Sequence, residues 1–192
     1  MTSVFGIIGS LVLALLVGVG SAIWIIFRPP VMPVIRNGSW ITNLQVGSPA
    51  ANMYVRAHIA LTGLFALNKK ETIYYRAYVD DRGEKLRADR DYVITGIDIP
   101  ARWWGIMLYG QDNHLIANAQ DRYSFNMANL DLEADGSFRI HLSRAPSQRN
   151  WLPAGDRDQR LSFSLKVYNP SPEVYRDPAS VKLPRITMVA PT

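Results

Sequence analysis

The chain begins with an apolar run, Val4 to Phe27, that contains no charged side chain. At about 1.5 Å of rise per residue a helix of this length extends about 36 Å, and the hydrocarbon core of a bilayer is about 30 Å thick. The pattern therefore predicts one transmembrane helix over residues 4–28, after a short tail of residues 1–3. Prolines follow at positions 29, 30 and 33, and they end the helix because proline lacks a backbone N–H.

A cleavable signal peptide is the alternative interpretation of the same run. Such a peptide needs a basic segment before its apolar core and small residues at a cleavage site. Only Thr2 and Ser3 follow Met1, and the apolar run continues to Phe27 beyond the small residues 20–22. We therefore expect an uncleaved anchor, with Trp24 at the depth of the membrane interface.

Small residues recur at every fourth position of the apolar run, a spacing that lets a second transmembrane helix approach closely. The alternative is that the recurrence reflects composition alone. The predicted packing face consists of Gly6, Ser10, Ala14, Gly18 and Ala22.

After a connector of residues 29–47, the pattern predicts one amphipathic helix over residues 49–67. Ser48 is a suitable N-cap, and Pro49 at the first helical position loses no hydrogen bond. The apolar stripe that defines the helix consists of Ala50, Tyr54, Ala57, Leu61 and Leu64.

From residue 72 onward the apolar period changes to two, which is typical of strands. Asp135-Gly136 lies between two alternating segments and predicts a two-residue type I′ hairpin. The proline-rich tail of residues 177–192 should run extended, with one edge strand near 181–189. Strands are expected at 72–79, 102–109, 114–117, 138–142 and 160–168. Residues 48–176 are thus predicted to form one mainly β, antiparallel sandwich or barrel.

Composition narrows the chemistry. The formal charge is +5, and the absence of cysteine excludes disulfides, thiolate zinc sites and cysteine nucleophiles. The basic residues do not form a nucleic-acid-binding motif. His58, His114 and His141 lack metal-ligand spacing, and neither a nucleophile elbow nor a phosphate-binding loop occurs. We therefore expect no metal, no cofactor, no nucleic acid partner and no established catalytic residue.

Six segments occur in order along the chain: Tyr74–Asp80, Trp104–Tyr109, Ile116–Asn118, Asp121–Ser124, Asp135–Ser137 and Asn150–Ala154. Together they resemble the bacterial family known as domain of unknown function 1214, and the resemblance extends from about residue 53 to residue 174. It implies a jelly-roll-like β-sandwich, export across the inner membrane, and a partner that carries the companion domain of unknown function 1254. We expect that companion domain on another polypeptide rather than on this chain.

Within the matching segments, aromatic and polar side chains are mixed in a way that suits a binding pocket. The alternative is a closed core whose polar residues fix loops to the backbone. An arginine near aromatic residues usually has an anionic partner, which makes Arg122 of particular interest. The candidate residues for ligand or partner binding are Trp104, Tyr109, Asn118, Arg122, Tyr123, Asn150 and Trp151.

These features predict a non-enzymatic, membrane-tethered binding or scaffolding module of the bacterial envelope, working with a partner protein. Arg28 and Arg36 weakly favour a cytoplasmic domain by the positive-inside rule, but the export implied by the resemblance favours the periplasm. One alternative is a hydrolase for an amphiphilic substrate, in which His114 acts as base and Arg122 holds an anionic group. Another is a lipid carrier, which requires an apolar cavity between the sheets.

Overall fold

The computed structural model describes residues 2–27, 33–61, 66–146 and 149–189. Three helices and ten strands occur in these residues. They are α1 (Thr2–Phe27), β1 (Ile35–Asn37), β2 (Trp40–Thr42), α2 (Met53–Leu61), β3 (Thr72–Ala77), β4 (Asp91–Gly96), β5 (Ala101–Gly110), β6 (Ser124–Asn126), β7 (Phe138–Ser143), β8 (Trp151–Pro153), β9 (Leu161–Pro170), α3 (Pro172–Arg176) and β10 (Arg185–Val189).

The strands form two sheets, which confirms the predicted mainly β fold with few helices. One sheet has six strands in the order β1-β2-β3-β9-β5-β6, and the other has four in the order β10-β4-β7-β8. All pairs are antiparallel except β7 with β8, which is parallel. This arrangement is consistent with a jelly roll.

The core lies between the two sheets and follows from the alternation along the strands. On β9, the side chains of Phe163, Leu165 and Val167 are fully buried. Phe138 and Ile140 on β7 are also fully buried. Burying a side chain of this kind contributes about 1.5–3 kcal/mol. The inner faces of both sheets therefore form one apolar layer.

The sandwich includes strands near the beginning and near the end of the sequence that follows α1. The segment predicted as a connector contains β1 and β2, and Trp40 on β2 donates its indole N–H to Pro184 O at 2.6 Å. The edge strand predicted near 181–189 is confirmed, because β10 pairs with β4 along Arg185–Val189.

The helix predicted over residues 49–67 is shorter in the structure. It runs from Met53 to Leu61, while Ala66 and Leu67 are not helical and residues 62–65, with Leu64, lie outside the described residues. Asn52, rather than Ser48, caps it, since its Oδ1 accepts the N–H of Val55 at 2.9 Å. Val55, which is not in the predicted stripe, is the buried residue of α2.

Two local strand predictions also need correction. The turn at Asp135-Gly136 is not type I′, because only Gly136 has a positive φ, of 79°. Gly136 N–H donates to Glu133 O at 3.0 Å and Glu133 N–H donates to Ser137 O at 2.8 Å, so the loop has three residues and a glycine bulge. Residues 114–117 form an isolated bridge between Leu115 and Tyr109 instead of a strand.

By length and composition, Val4–Ile26 of α1 could cross a membrane, as either an anchor or a signal sequence. Side chains along it, such as Leu11, Leu15 and Val17, are more than 60% exposed. The end of α1 contacts α2, where His58 Nδ1 lies 2.9 Å from Ile26 O. Helix α2 therefore lies beside the C-terminal end of the apolar helix.

Candidate functional site

The seven residues proposed from the sequence do not gather into one pocket. Trp104 is 2% exposed, donates its indole N–H to Asp98 Oδ1 at 2.7 Å, and packs against Phe138 with ring centroids 5.2 Å apart. Tyr109 lies on the opposite, outer face of the six-stranded sheet. The structure therefore separates two of the candidates onto opposite sides of β5.

Asn118, Arg122 and Tyr123 belong to the loop before β6. Asn118 Oδ1 accepts the N–H of Arg122 at 3.1 Å, and its amide donates to Arg122 O at 3.0 Å. The Arg122 guanidinium donates to Trp151 O at 3.0 Å and lies 5.7 Å from the Phe125 ring centroid. Its partners in the structure are thus a carbonyl and a ring, rather than the carboxylate expected from the sequence.

Asn150 and Trp151 close the end of the four-stranded sheet. Asn150 has a φ of +56° and is 9% exposed, and its amide donates to both Asp131 O and Arg139 O. Trp151 is 8% exposed and donates its indole N–H to Ser143 O at 3.1 Å. These contacts fix loops, and both side chains are buried.

The hydrolase alternative needs His114 and Arg122 in one cleft. His114 lies on the turn after β5, where Nδ1 is 3.5 Å from Asp112 Oδ2 and 83% of the side chain is exposed. No hydrogen bond or ion pair in the described residues joins His114 to Arg122. The described residues also contain no group of three His, Cys, Asp or Glu side chains that could hold a metal ion.

The outer face of the six-stranded sheet carries a different set of residues. Of these, only Tyr109 was a candidate from the sequence. We call this set the aromatic face. It includes partly exposed tyrosine, tryptophan, arginine and lysine side chains around small residues of the central strands. Its members are Tyr74, Arg76, Trp103, Gly105, Met107, Tyr109, Ser162, Ser164, Lys166 and Tyr168.

Strand register places these residues in rows across β3, β9 and β5. Tyr74 is opposite Lys166, which is opposite Gly105. In the next row, Arg76, Ser164 and Met107 are paired in the same way. In the first row the large Lys166 is therefore central and Gly105 is at one side, whereas in the second row the small Ser164 lies between two larger side chains.

Trp103 lies along its own strand, over Gly105, because the glycine leaves room for it. A Cβ atom at position 105 would lie 2.9 Å from Trp103 Cη2. The indole also meets the Tyr168 ring edge-on, with centroids 5.3 Å apart. The glycine thus allows an aromatic ring to lie along a strand that carries alternating bulky residues.

The charge of the aromatic face is positive. The Arg76 guanidinium donates to Asn113 Oδ1 at 2.7 Å and lies 5.3 Å from the Tyr109 ring centroid, while its buried Nε has no hydrogen-bond partner. Within the described residues, neither Arg76 nor Lys166 forms an ion pair with a carboxylate. The face therefore presents two cations without an anionic partner.

Burial and the neighbouring Arg76 charge lower the pKa of the Lys166 ammonium from its ordinary value. Burial, with smaller contributions from Tyr74 and Tyr109, raises the pKa of the Tyr168 phenol. Both shifts follow from partial removal of water by the neighbouring aromatic rings. An anion on this face would interact with Lys166 in a medium of lower dielectric constant than bulk water.

Two open depressions elsewhere are lined mainly by polar and charged side chains. One has Asp131, Glu133, Arg139, His141, Arg149 and Asn150, and the other has Gly83, Glu84, Lys85, Arg87, Arg90 and Arg160. Neither is the apolar cavity between the sheets that a lipid carrier requires.

The position of Lys166 predicts a gain of stability on removal of its charge. Folding lowers the pKa of Lys166, so the charged ammonium lowers the free energy of unfolding at pH values below that pKa. This loss of stability disappears above the pKa of lysine in the unfolded chain, about 10.4. Because the ammonium is only partly buried and solvent screens its charge, we expect Lys166→Met to raise the free energy of unfolding at pH 7 by no more than about 1 kcal/mol. Chemical denaturation in detergent at pH 7 and about pH 11 measures this. A loss at pH 7, or an equal gain at both pH values, would contradict it.

Two packed sheets, preceded by a long apolar helix, define the protein as a β-sandwich with an N-terminal hydrophobic helix. The chain belongs to the family described as "Protein of unknown function (DUF1214)", whose model matches residues 71–172. This agrees with the resemblance found in the sequence.

One solved structure shows the same fold. The VPA0106 protein from Vibrio parahaemolyticus is similar with a TM-score of 0.61 and 22% identity, over 73% of this chain and 36% of that chain. An uncharacterized protein from Burkholderia cenocepacia gives a TM-score of 0.40 and 15% identity, over 64% of this chain and 31% of that chain. The chain thus spans about a third of the length of these proteins. No curated protein matches it.

Proposed function

We propose that this protein is a membrane-tethered binding module of the bacterial cell envelope, without catalytic activity, whose aromatic face docks an acidic partner protein. The observation that carries the proposal is the aromatic face itself, with aromatic rings around two cations that have no carboxylate partner among the residues that the structure describes. Helix α1 serves as the membrane anchor in this proposal.

The composition of the aromatic face supports a protein partner. Tryptophan, tyrosine and arginine dominate the residues that contribute most to binding energy at protein interfaces, and methionine is also enriched there. Arg76 and Lys166 without anionic neighbours favour a partner that supplies carboxylates, since complementary charge gives specificity and faster association. Ser162 and Ser164 are 4% and 3% exposed, so the larger side chains around them, rather than these serines, would meet the partner.

A partner is also expected on the membrane side. We propose that the small-residue face of α1, from Gly6 to Ala22, packs against a transmembrane helix of the same or another protein. A protein that carries the companion domain of unknown function 1254 is our candidate partner for the sandwich, following the family resemblance.

We propose that the sandwich lies in the periplasm, anchored in the inner membrane. Export is implied by the family, whereas Arg28 and Arg36 next to α1 favour the opposite orientation. A C-terminal alkaline phosphatase fusion, which is active only after export, distinguishes the two. Activity supports the periplasmic orientation, and an inactive but stable fusion contradicts it.

Cross-linking in native membranes followed by purification in detergent tests the function. We expect the full chain to migrate as a defined complex with one acidic partner, and the complex to weaken as salt rises because its charges become screened. A solitary monomer at every cross-linker and salt concentration would contradict the proposal.

A further inference from the structure

The net charge of the chain is confined to its first 70 residues. They contain five Lys or Arg and no Asp or Glu, so residues 71–192 have 16 of each sign and no net charge. The five basic residues are Arg28, Arg36, Arg56, Lys69 and Lys70. The excess positive charge thus belongs to the segments that follow the anchor helix, rather than to the residues that the family model matches.

Helix α2 and the residues after it also expose apolar side chains. Met53 is 74% exposed, Leu61 is 62% exposed and Leu67 is 44% exposed, while the side chain of Val55 is fully buried. Arg56, Lys69 and Lys70 are exposed in the same segments. The surface therefore combines large apolar groups with cations, as helices that lie in a membrane interface do.

The contact with α1 places this surface at the end of the apolar helix. His58 Nδ1 lies 2.9 Å from Ile26 O, one residue before the end of α1, and Trp24 is 58% exposed one turn earlier. If α1 spans the bilayer, its last turn lies at the membrane surface. The exposed apolar side chains of α2 are then at the level of the lipid headgroups.

We propose that α2 and residues 66–70 bind the surface of the bilayer that holds α1, and that their lipid partners carry anionic headgroups. Met53 and Leu61 enter the boundary between headgroups and acyl chains, while Lys69 and Lys70 contact lipid phosphates. This second attachment holds the sandwich in one orientation on the membrane, where a single helix alone would let it rotate. The proposal does not depend on what binds the aromatic face.

The absence of cysteine allows a direct test in the full chain. Single variants Met53→Cys, Leu61→Cys and Leu132→Cys are labelled with a nitroxide and reconstituted in phosphatidylcholine vesicles with or without phosphatidylglycerol. Leu132 is the control, since it is 55% exposed and lies beyond β6 in the sandwich. We expect the labels at 53 and 61 to be shielded from a water-soluble relaxing agent and accessible to oxygen in anionic vesicles, and the label at 132 to remain in water.

Charge neutralisation tests the lipid class. The double variant Lys69→Gln, Lys70→Gln should lower the ratio of docked to undocked protein in anionic vesicles roughly 30-fold, about fivefold for each lysine. The matched control is Arg157→Gln, Lys182→Gln, which removes two exposed charges from residues 71–192 and should leave the ratio unchanged.

Labels at 53 and 61 as accessible to water as the label at 132 would overturn the proposal. Equal docking in vesicles without phosphatidylglycerol, or equal effects of the two double variants, would also overturn it.

Discussion

Trp104→Ala should lower the free energy of unfolding by about 3–5 kcal/mol, whereas Trp103→Ala should lower it by about 1 kcal/mol. The two residues are adjacent in the chain, but β5 directs them to opposite faces of the sheet. Trp104 fills the core against Phe138 and is 2% exposed. Trp103 is only partly buried and loses mainly its edge contact with Tyr168.

Guanidinium denaturation of the full chain in detergent, followed by near-ultraviolet circular dichroism, measures both variants. Leu132→Ala is the control for an exposed apolar residue and should change stability by less than about 0.5 kcal/mol. Equal losses for Trp103→Ala and Trp104→Ala would contradict the assignment of the two faces of β5.

Arg76→Ala should weaken the proposed complex at least about 30-fold, because truncation of a central arginine at an interface costs about 2 kcal/mol or more. The guanidinium is already held by Asn113 and stacks near Tyr109, so little conformational freedom is lost when a partner binds. Arg76→Lys keeps the charge but loses the planar geometry and should recover only part of the affinity.

The matched control is Arg139→Ala, which removes an exposed arginine from the outer face of the opposite sheet. Its expected effect on the complex is less than threefold, and the comparison is made by titrating the purified partner against each variant in detergent. A complex that survives Arg76→Ala unchanged, or that Arg139→Ala weakens equally, would show that another surface is used.

The fold followed from the sequence where local alternation determines burial. The pattern Leu161, Phe163, Leu165 and Val167 marks the inner face of β9 whatever its neighbours are. Ser162 and Ser164 alternate with this pattern and lie on the outer face, but they are only 4% and 3% exposed. Side chains from β3 and β5 cover them, and that pairing is not visible within one segment.

Errors arose where tertiary contacts compete with local preference. The apolar spacing of residues 50–64 fits a longer helix, but Asn52 caps α2 at Met53, and the buried residue of α2 is Val55, which lies outside the predicted stripe. At Asp135-Gly136 the dipeptide alone suggested a type I′ turn. In the structure only Gly136 of this turn has a positive φ, because the loop contains three residues instead of two.

The candidate site was harder to predict, since its residues come from three strands far apart in the chain. Of the aromatic face, only Tyr109 was selected from the sequence. The other members could have been found from the strand pattern, because they alternate with core residues along each strand. On β3, Tyr74 and Arg76 alternate with the buried Ile73 and Tyr75. Their assembly depends on the register of β3 and β5 with β9, which local patterns do not specify.

Site-specific photo-cross-linking in living cells tests the central claim most directly. A photoreactive phenylalanine analogue replaces Tyr109 on the aromatic face in one variant, and Leu132 away from it in the other. The account predicts a discrete cross-link to one acidic protein from position 109, lost on Arg76→Ala, and none from position 132. Absence of a cross-link at 109, or the same products from both positions, would contradict it.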